Sequence, residues 1–332
     1  MSTLAATLPG LYELSQMDRP DGDGFLNMIY SMTEAQDLLK DMPFFQANDR
    51  QSHKYIRNSS LVSGTWVKLN DGISASKGSN ITDTAVLGRI ESRLVVDLRF
   101  ADIEPDFAAY VERLAVPHYE GLANDVGDAV TNGTIAGGYA FPSIEEHISS
   151  ASQTDQFGQK MCHTYGGSAT LTSIIAVQWG QDKVYGIYPK GHQYTGVEKH
   201  EYAGDILTTG NNSSDMRSYV CDFAWHLGLV VADDRCVRRI ANIEPVGALY
   251  NMEASTFSTK PIIDALISMA DMGKGAILYM NRGTWGHFWK AAKADSTVNY
   301  SAPNPWQAPE YMFSGTRIRF TDSLLNTESQ IT

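Results

Sequence analysis

The sequence predicts an α+β fold, and three features carry that expectation: a pair of strands closed by a polar tip, a long helix interrupted by proline, and a remainder that mixes strands with helices. At 332 residues the chain is long enough for a substantial core divided between two packed regions. With 43% apolar and 19% charged residues it lies within the globular range.

The elements follow in order. The first ~45 residues combine turn-forming runs such as Asp18-Arg-Pro-Asp-Gly-Asp-Gly24 with one short helical pattern from Ile29 to Met42, as in an arm lying on a neighbour. From Tyr55 to Phe100 the pattern is that of strands. Thr65-Trp-Val-Lys-Leu69 is expected to run out and Leu87 to Phe100 to return. In the return strand Ile90, Leu94, Val96 and Leu98 share one face and Arg89, Glu91, Arg93, Asp97 and Arg99 the other, with Val95 breaking the alternation. Between them, Asp71 to Thr84 holds only two strongly apolar residues, Ile73 and Ile81. A hairpin standing alone is marginal in water, so this one needs a partner surface.

Pro105 opens a long helix whose apolar face runs through Phe107, Val111, Leu114, Leu122, Val126 and Val130 to a stop at Gly133. Pro117 falls inside it and is expected to kink it, because proline has no backbone N–H to donate. Beyond it, Leu171 to Trp179, Lys183 to Tyr188 and Ala276 to Met280 read as strands. Ile262 to Met272, ended by Gly273, and Thr284 to Ala294 read as helices. Ser314 to Phe320 reads as a final strand before a polar tail.

Composition excludes several classes of function. A net charge of −12 is unsuited to a surface that grips nucleic acid through phosphates. The densest basic cluster, Arg235, Arg238 and Arg239, sits beside Asp233 and Asp234 and reads as local ion pairing. Cys162, Cys221 and Cys236 are odd in number and lack metal-ligand spacing, so buried free thiols are expected. No stretch approaches the ~20 apolar residues of a membrane-spanning helix, and the start lacks the pattern of a secretion signal.

Catalytic patterns are equally sparse. The phosphate-binding glycine motifs, H-E-x-x-H and G-x-S-x-G are absent. Asp21 and Asp23 would need a third ligand where Phe25 stands to hold calcium. His118, which shares a helix with Glu120, and His192 and His200, which flank a loop, read as surface or satisfied core histidines. Cys162 and His163 are adjacent in an extended segment and point apart. No catalytic, cofactor-binding or metal-binding residue is assigned, and no cofactor is expected.

Four blocks, in order, resemble the major capsid proteins of tailed bacteriophages of the epsilon15 type. They are Gly64-Thr-Trp-Val-Lys-Leu-Asn-Asp-Gly-Ile73 with Ser76-Lys77 and Thr82-Asp-Thr84; Trp179-Gly180 with Val184 to Gly191, Trp225, Gly228 to Val231 and Arg239 to Glu244; Tyr279-Met-Asn-Arg282; and Gly315 to Glu328. The family's Trp followed directly by Arg is Trp66-Val67-Lys68 here, and His192 to Ser214 matches no family pattern.

The resemblance implies an HK97-like capsid fold: an N-terminal arm (1–49), an extended β-hairpin or E-loop with its flanking strands (50–100), a peripheral domain with a kinked spine helix (101–150, plus later returning strands), and an α/β axial domain with the final strand (151–332). It implies a structural, non-enzymatic subunit that self-assembles into hexamers and pentamers of the icosahedral head of a tailed double-stranded DNA phage. The implied partners are copies of itself, a separate scaffolding protein, a portal and a decoration protein. The shell encloses DNA without reading its sequence, has no membrane contact and is put together in the host bacterial cytoplasm. An adaptor or tail-tube subunit, or an α/β enzyme with an unmarked site, is the alternative. The founding member of the fold joins a hairpin Lys to a neighbour's Asn, which makes Lys68 and Lys77 the residues to examine. Both are expected to form a salt bridge or to contact an acidic patch on the neighbour, and to form no crosslink.

Overall fold

The structure, a computed structural model, describes residues 36–60, 62–102, 106–133, 141–166, 170–191, 196–202, 206–209, 215–244, 260–286, 311–313 and 315–332. In chain order its elements begin with α1 (Asp37–Asp41), β1 (Phe44–Gln46), β2 (Ser52–Ser60), β3 (Ser79–Val86), β4 (Gly88–Asp97), α2 (Phe107–Thr131), α3 (Ile144–His147), β5 (Cys162–Thr164) and β6 (Thr172–Val177). They continue with β7 (Val184–Tyr188), β8 (Glu198–Glu201), β9 (Ile206–Thr209), β10 (Asp215–Val231), β11 (Val237–Ile243), α4 (Lys260–Ser268), β12 (Ile277–Met280), β13 (Met312–Phe313) and β14 (Thr316–Phe320). The chain divides into two compact units. One comprises Met1–Gln51, Val86–Ser143 and Gly186–Leu229, and the other Ser52–Ala85, Ile144–Tyr185 and Val230–Thr332.

The first unit is built on a sheet of order β1-β7-β10-β4, with β8 and β9 also paired to β10. β4 and β10 run antiparallel from Ser218 opposite Asp97 to Leu227 opposite Gly88. The alternation read from the sequence sets which face of β4 is inside: Leu94 and Val96 are buried, while Val95 is 40% exposed on the charged face. The α2 helix packs on β4. Its buried residues Val111, Ala115, Tyr119, Leu122, Val126 and Val130 recur every three or four positions and form one stripe. The Asp106 carboxylate caps the helix by accepting from the Ala109 N–H at 3.1 Å. Gly133, at φ 67°, ends it with its N–H on the Asp128 carbonyl. Pro117 lies inside this continuous helix and removes one intrahelical bond. Phe223 meets Tyr119 edge-on at 4.9 Å, and Trp225 lies 6.5 Å from Phe44.

The second unit holds a sheet of order β13-β14-β12-β6-β11-β5. Its strands β6 and β11 are buried along their whole length, β6 through the apolar run Ile174 to Val177 and β11 with Arg238, Arg239 and Asn242 buried among its apolar residues. α4 packs on β11 and β5 through Ile262, Ala265 and Leu266. The predicted continuation of this helix to Met272 gives way after Ser268 to a turn in which Asp271, Met272 and Gly273 all adopt positive φ. The left-handed region disfavours the first two. The predicted helix from Thr284 begins in a helical turn at 282–286, and its later residues lie outside those described.

Two expectations are corrected. Thr65 to Leu69 is not a strand: the two-stranded sheet pairs β2 with β3, and residues 62–78 form the connection. The segment Leu87 to Phe100 does contain a strand, β4, but it belongs to the large sheet of the first unit, not to the hairpin. β2 carries Lys54, Arg57 and Asn58 and leaves Ile56 68% exposed, so no buried face imprints a period on it. The 17-residue β10 has no counterpart among the predicted strands, because from Val220 to Val231 it is apolar and buried on both faces apart from Asp222 and His226. The Ile29 to Met42 helical pattern is observed only as α1; residues up to 35, Pro105 and His192 lie outside the described region, as does the Asp21–Asp23 turn.

Candidate assembly surfaces

The second unit presents the loop 62–78, whose side chains are almost all exposed. Trp66 is fully exposed, Leu69 94% and Ile73 75%. An exposed tryptophan with exposed Leu69 and Ile73 close in sequence is a surface suited to contact with another macromolecule. Lys68 and Lys77 are exposed as well, with no ion-pair partner among the described residues. Neither is desolvated as a nucleophilic amine must be.

A charged node fixes the base of the loop. Arg57 on β2 lies 2.9 Å from Asp83 on β3 and 2.6 Å from Asp234, and Asp234 also meets His147 at 2.9 Å. Burial pushes the Asp234 carboxyl up, but the His147 hydrogen bond and the charges of His147 and Arg57 outweigh it and hold the group below the usual carboxylate range. A cavity of about 200 Å³ opens beside this node, lined by Arg57, Asp182, Asp233, Asp234 and Arg235.

The basic cluster behaves differently from its reading in the sequence. Arg235 does pair locally with Asp233, at 2.6 Å, but Arg238 and Arg239 reach far along the chain. Neighbouring residues of β11 point to opposite faces. Arg238 turns to Asp155 at 2.7 Å and to the Ser268 hydroxyl at 2.9 Å, fully buried. Arg239 turns to Glu145 at 3.0 Å and Glu328 at 2.8 Å. Asn242 exchanges two hydrogen bonds of 2.9 Å with the backbone of Ile331, and the Ala151 N–H meets the Thr332 carbonyl at 3.3 Å. Residues 328–332 are thereby stitched to the sheet. The local acids Asp233 and Asp234 masked these partners in the sequence, and no spacing rule would have found them.

The remaining candidates show no catalytic geometry. All three cysteines are buried. Burial pushes the Cys162 thiol up and the neighbouring His163 down, the opposite of an activated thiolate and its base. His200 pairs with Glu198 on the exposed strand β8. Among the described residues no three His, Cys, Asp or Glu side chains gather as metal ligands, and no helix is long and apolar enough to cross a membrane.

Comparison with known proteins gives the family and the fold. The sequence profile of the family described as major capsid protein GP7 matches residues 20–332. The chain belongs to the major capsid protein GP7 family. The GP7 assignment makes it a phage major capsid subunit. A chain in the structure of bacteriophage Epsilon15 superposes with a TM-score of 0.66 at 24% identity, covering 100% of this chain and 99% of that one. The JBD30 bacteriophage capsid gives a TM-score of 0.50 at 11% identity, over 97% and 96% of the two chains. These likenesses place the GP7 chain in the HK97-like α+β capsid fold. No curated protein sequence matches it.

Proposed function

We propose that this subunit forms the hexamers and pentamers of the icosahedral head of a tailed double-stranded DNA phage, acting as a purely structural protein with no catalytic step. The observation that carries the reading is the loop 62–78, with Trp66, Leu69 and Ile73 presented to solvent. In this reading residues 1–49 are an arm, 50–100 the E-loop with its flanking strands, 101–150 with the returning strands the peripheral domain, and 151–332 the axial domain. Ring closure multiplies modest contacts through high effective concentration. The acidic balance of the chain keeps packed DNA from adhering to the wall, with no sequence-specific binding. A separate scaffolding protein, a portal and a decoration protein complete the partners, and assembly takes place in the host bacterial cytoplasm.

Electron microscopy of the expressed chain, alone and with scaffolding protein from the same phage, tests this. Closed shells are expected. Open rings or tubes would point to an adaptor or tail-tube subunit, and monomers that never assemble would remove the reading altogether.

A further inference from the structure

An Asp or Asn followed by Gly is open to attack by its own backbone, because the glycine nitrogen is unhindered and glycine leaves the chain free to turn. Whether the attack succeeds depends on how firmly the fold holds the pair. Two such pairs lie among the described residues, Asp71-Gly72 and Asn132-Gly133. Asn132 is held: it is 9% exposed, keeps helical φ and ψ at the end of α2, and both its N–H and that of Gly133 donate to the Asp128 carbonyl. Asp71-Gly72 is the opposite case. Both residues are exposed in the connection 62–78, which pairs with no strand, and a Cβ on Gly72 would meet nothing within 4 Å. Neither the Asp71 carboxyl nor the Gly72 N–H has a partner among the described residues. The chain turns just before them, with Asn70 at φ 75° and the Asp71 N–H donating to the Lys68 carbonyl at 3.1 Å.

We propose that Asp71 is a site of spontaneous modification, the free subunit converting Asp71-Gly72 through a succinimide into an isoaspartyl linkage. The Gly72 nitrogen attacks Cγ of Asp71. A C–N bond forms, the carboxyl C–O bond breaks, and the hydroxyl leaves with the amide proton as water. A second water then opens the ring. Attack at Cγ restores aspartate, whereas attack at the main-chain carbonyl leaves Gly72 joined through Cγ and frees the α-carboxylate. One water leaves and one returns, and nothing is oxidised or reduced. The product carries an extra methylene in the backbone, placed between the exposed apolar residues Leu69 and Ile73. Their spacing therefore changes with no change in composition or mass. The consequence for assembly rests on the reading of 62–78 as an inter-subunit loop: a subunit that waits too long before it is used loses the shape of its contact.

The test uses the full chain as unassembled subunit, kept warm in heavy-oxygen water, then returned to ordinary water and cut with trypsin. The peptide Leu69–Lys77 is expected to split with time into two chromatographic peaks of equal sequence. The later-formed peak should carry heavy oxygen and accept a methyl group from an isoaspartyl methyltransferase. The peptide holding Asn132-Gly133 should stay single. Gly72→Val, which has room for its side chain and shields the nitrogen, should lose the second peak. A single unlabelled Leu69–Lys77 peak from the wild-type chain, over a time in which the synthetic peptide of that sequence isomerises, would overturn the proposal and leave the capsid reading untouched. Shell yield is then compared before and after ageing within each chain. Yield should fall with the isomer fraction in the wild type and hold in Gly72→Val. Isomer formed with full shell yield would uphold the modification and count against 62–78 as a contact loop.

Discussion

Glu145 and Glu328 both reach the same guanidinium nitrogen of Arg239, at 3.0 and 2.8 Å, so two buried carboxyl groups share one cation. Burial pushes the Glu145 carboxyl up to about 8 against the opposing charge of Arg239, and the charge of Glu328 and a hydrogen bond to it add to the rise. The neutral form is therefore the one the fold favours at neutral pH. A carboxyl raised on folding contributes stability that is complete below its unfolded value, near 4.5, and is lost as pH climbs through 8. The melting temperature is expected to fall between those limits, steepest midway, where the folded carboxyl is protonated and the unfolded one is not. Glu145→Gln, which keeps the neutral shape, should flatten the profile and raise the melting temperature at pH 8 by a few degrees. Melts at closely spaced pH values check this, and an unchanged slope in the variant would refute it.

Arg238 is wholly buried against an equally buried Asp155. Truncating it leaves a carboxylate with no counter-ion in a dry site, which costs about 3–5 kcal/mol. Arg238→Ala should show that loss in denaturant unfolding, and Arg238→Ala with Asp155→Ala should recover part of it. No recovery in the double variant would mean that the cation stabilises mainly through Ser268.

Gly186 on β7 allows Phe44 to lie flat on the sheet: a Cβ there would come within 2.7 Å of the ring. Gly186→Ala is expected to cost about 1–3 kcal/mol through overpacking. Combining it with Phe44→Leu should soften the penalty, and additive losses in the pair would rule the mechanism out.

Replacing residues 62–78 with Asn-Gly removes the connection while sparing β3, which begins at Ser79. The subunit should still melt cooperatively, since Trp66, Leu69 and Ile73 contribute nothing to its core, yet form no shells. Shells of normal yield would show that the loop is dispensable.

Exposed Lys68 and Lys77 predict shells held together without covalent bonds. Boiled in detergent, they should run as one band near 36.5 kDa. A ladder that survives reductant and vanishes in Lys68→Ala would make the subunit catalytic.

Where a side of an element faces a core, the sequence displays it. β4 shows its buried face through Leu94 and Val96, and the apparent exception, Val95, stands on the exposed face. α2 shows its stripe, its stop at Gly133 and its internal proline. Elements without a one-sided core leave no period to read. β2 carries little apolar surface and β10 is apolar on both faces, so the strand pairing was misplaced toward Thr65 to Leu69, where β-formers stand with no partner strand. The buried ion pairs were hidden for a related reason. Sequence neighbours suggest partners, but Arg238 and Arg239 choose theirs across a sheet, 83 and 89 residues away.

Neither unit can be made from one stretch of chain: the first draws on three separated segments, and β4 has no partner until β10 has been synthesised. Long-range pairing of this kind must meet the loss of loop entropy before any contact repays it, which makes folding slow and leaves open strand edges while the chain waits. The first unit has all of its segments once Leu229 has been made, whereas the second waits for Val230–Thr332.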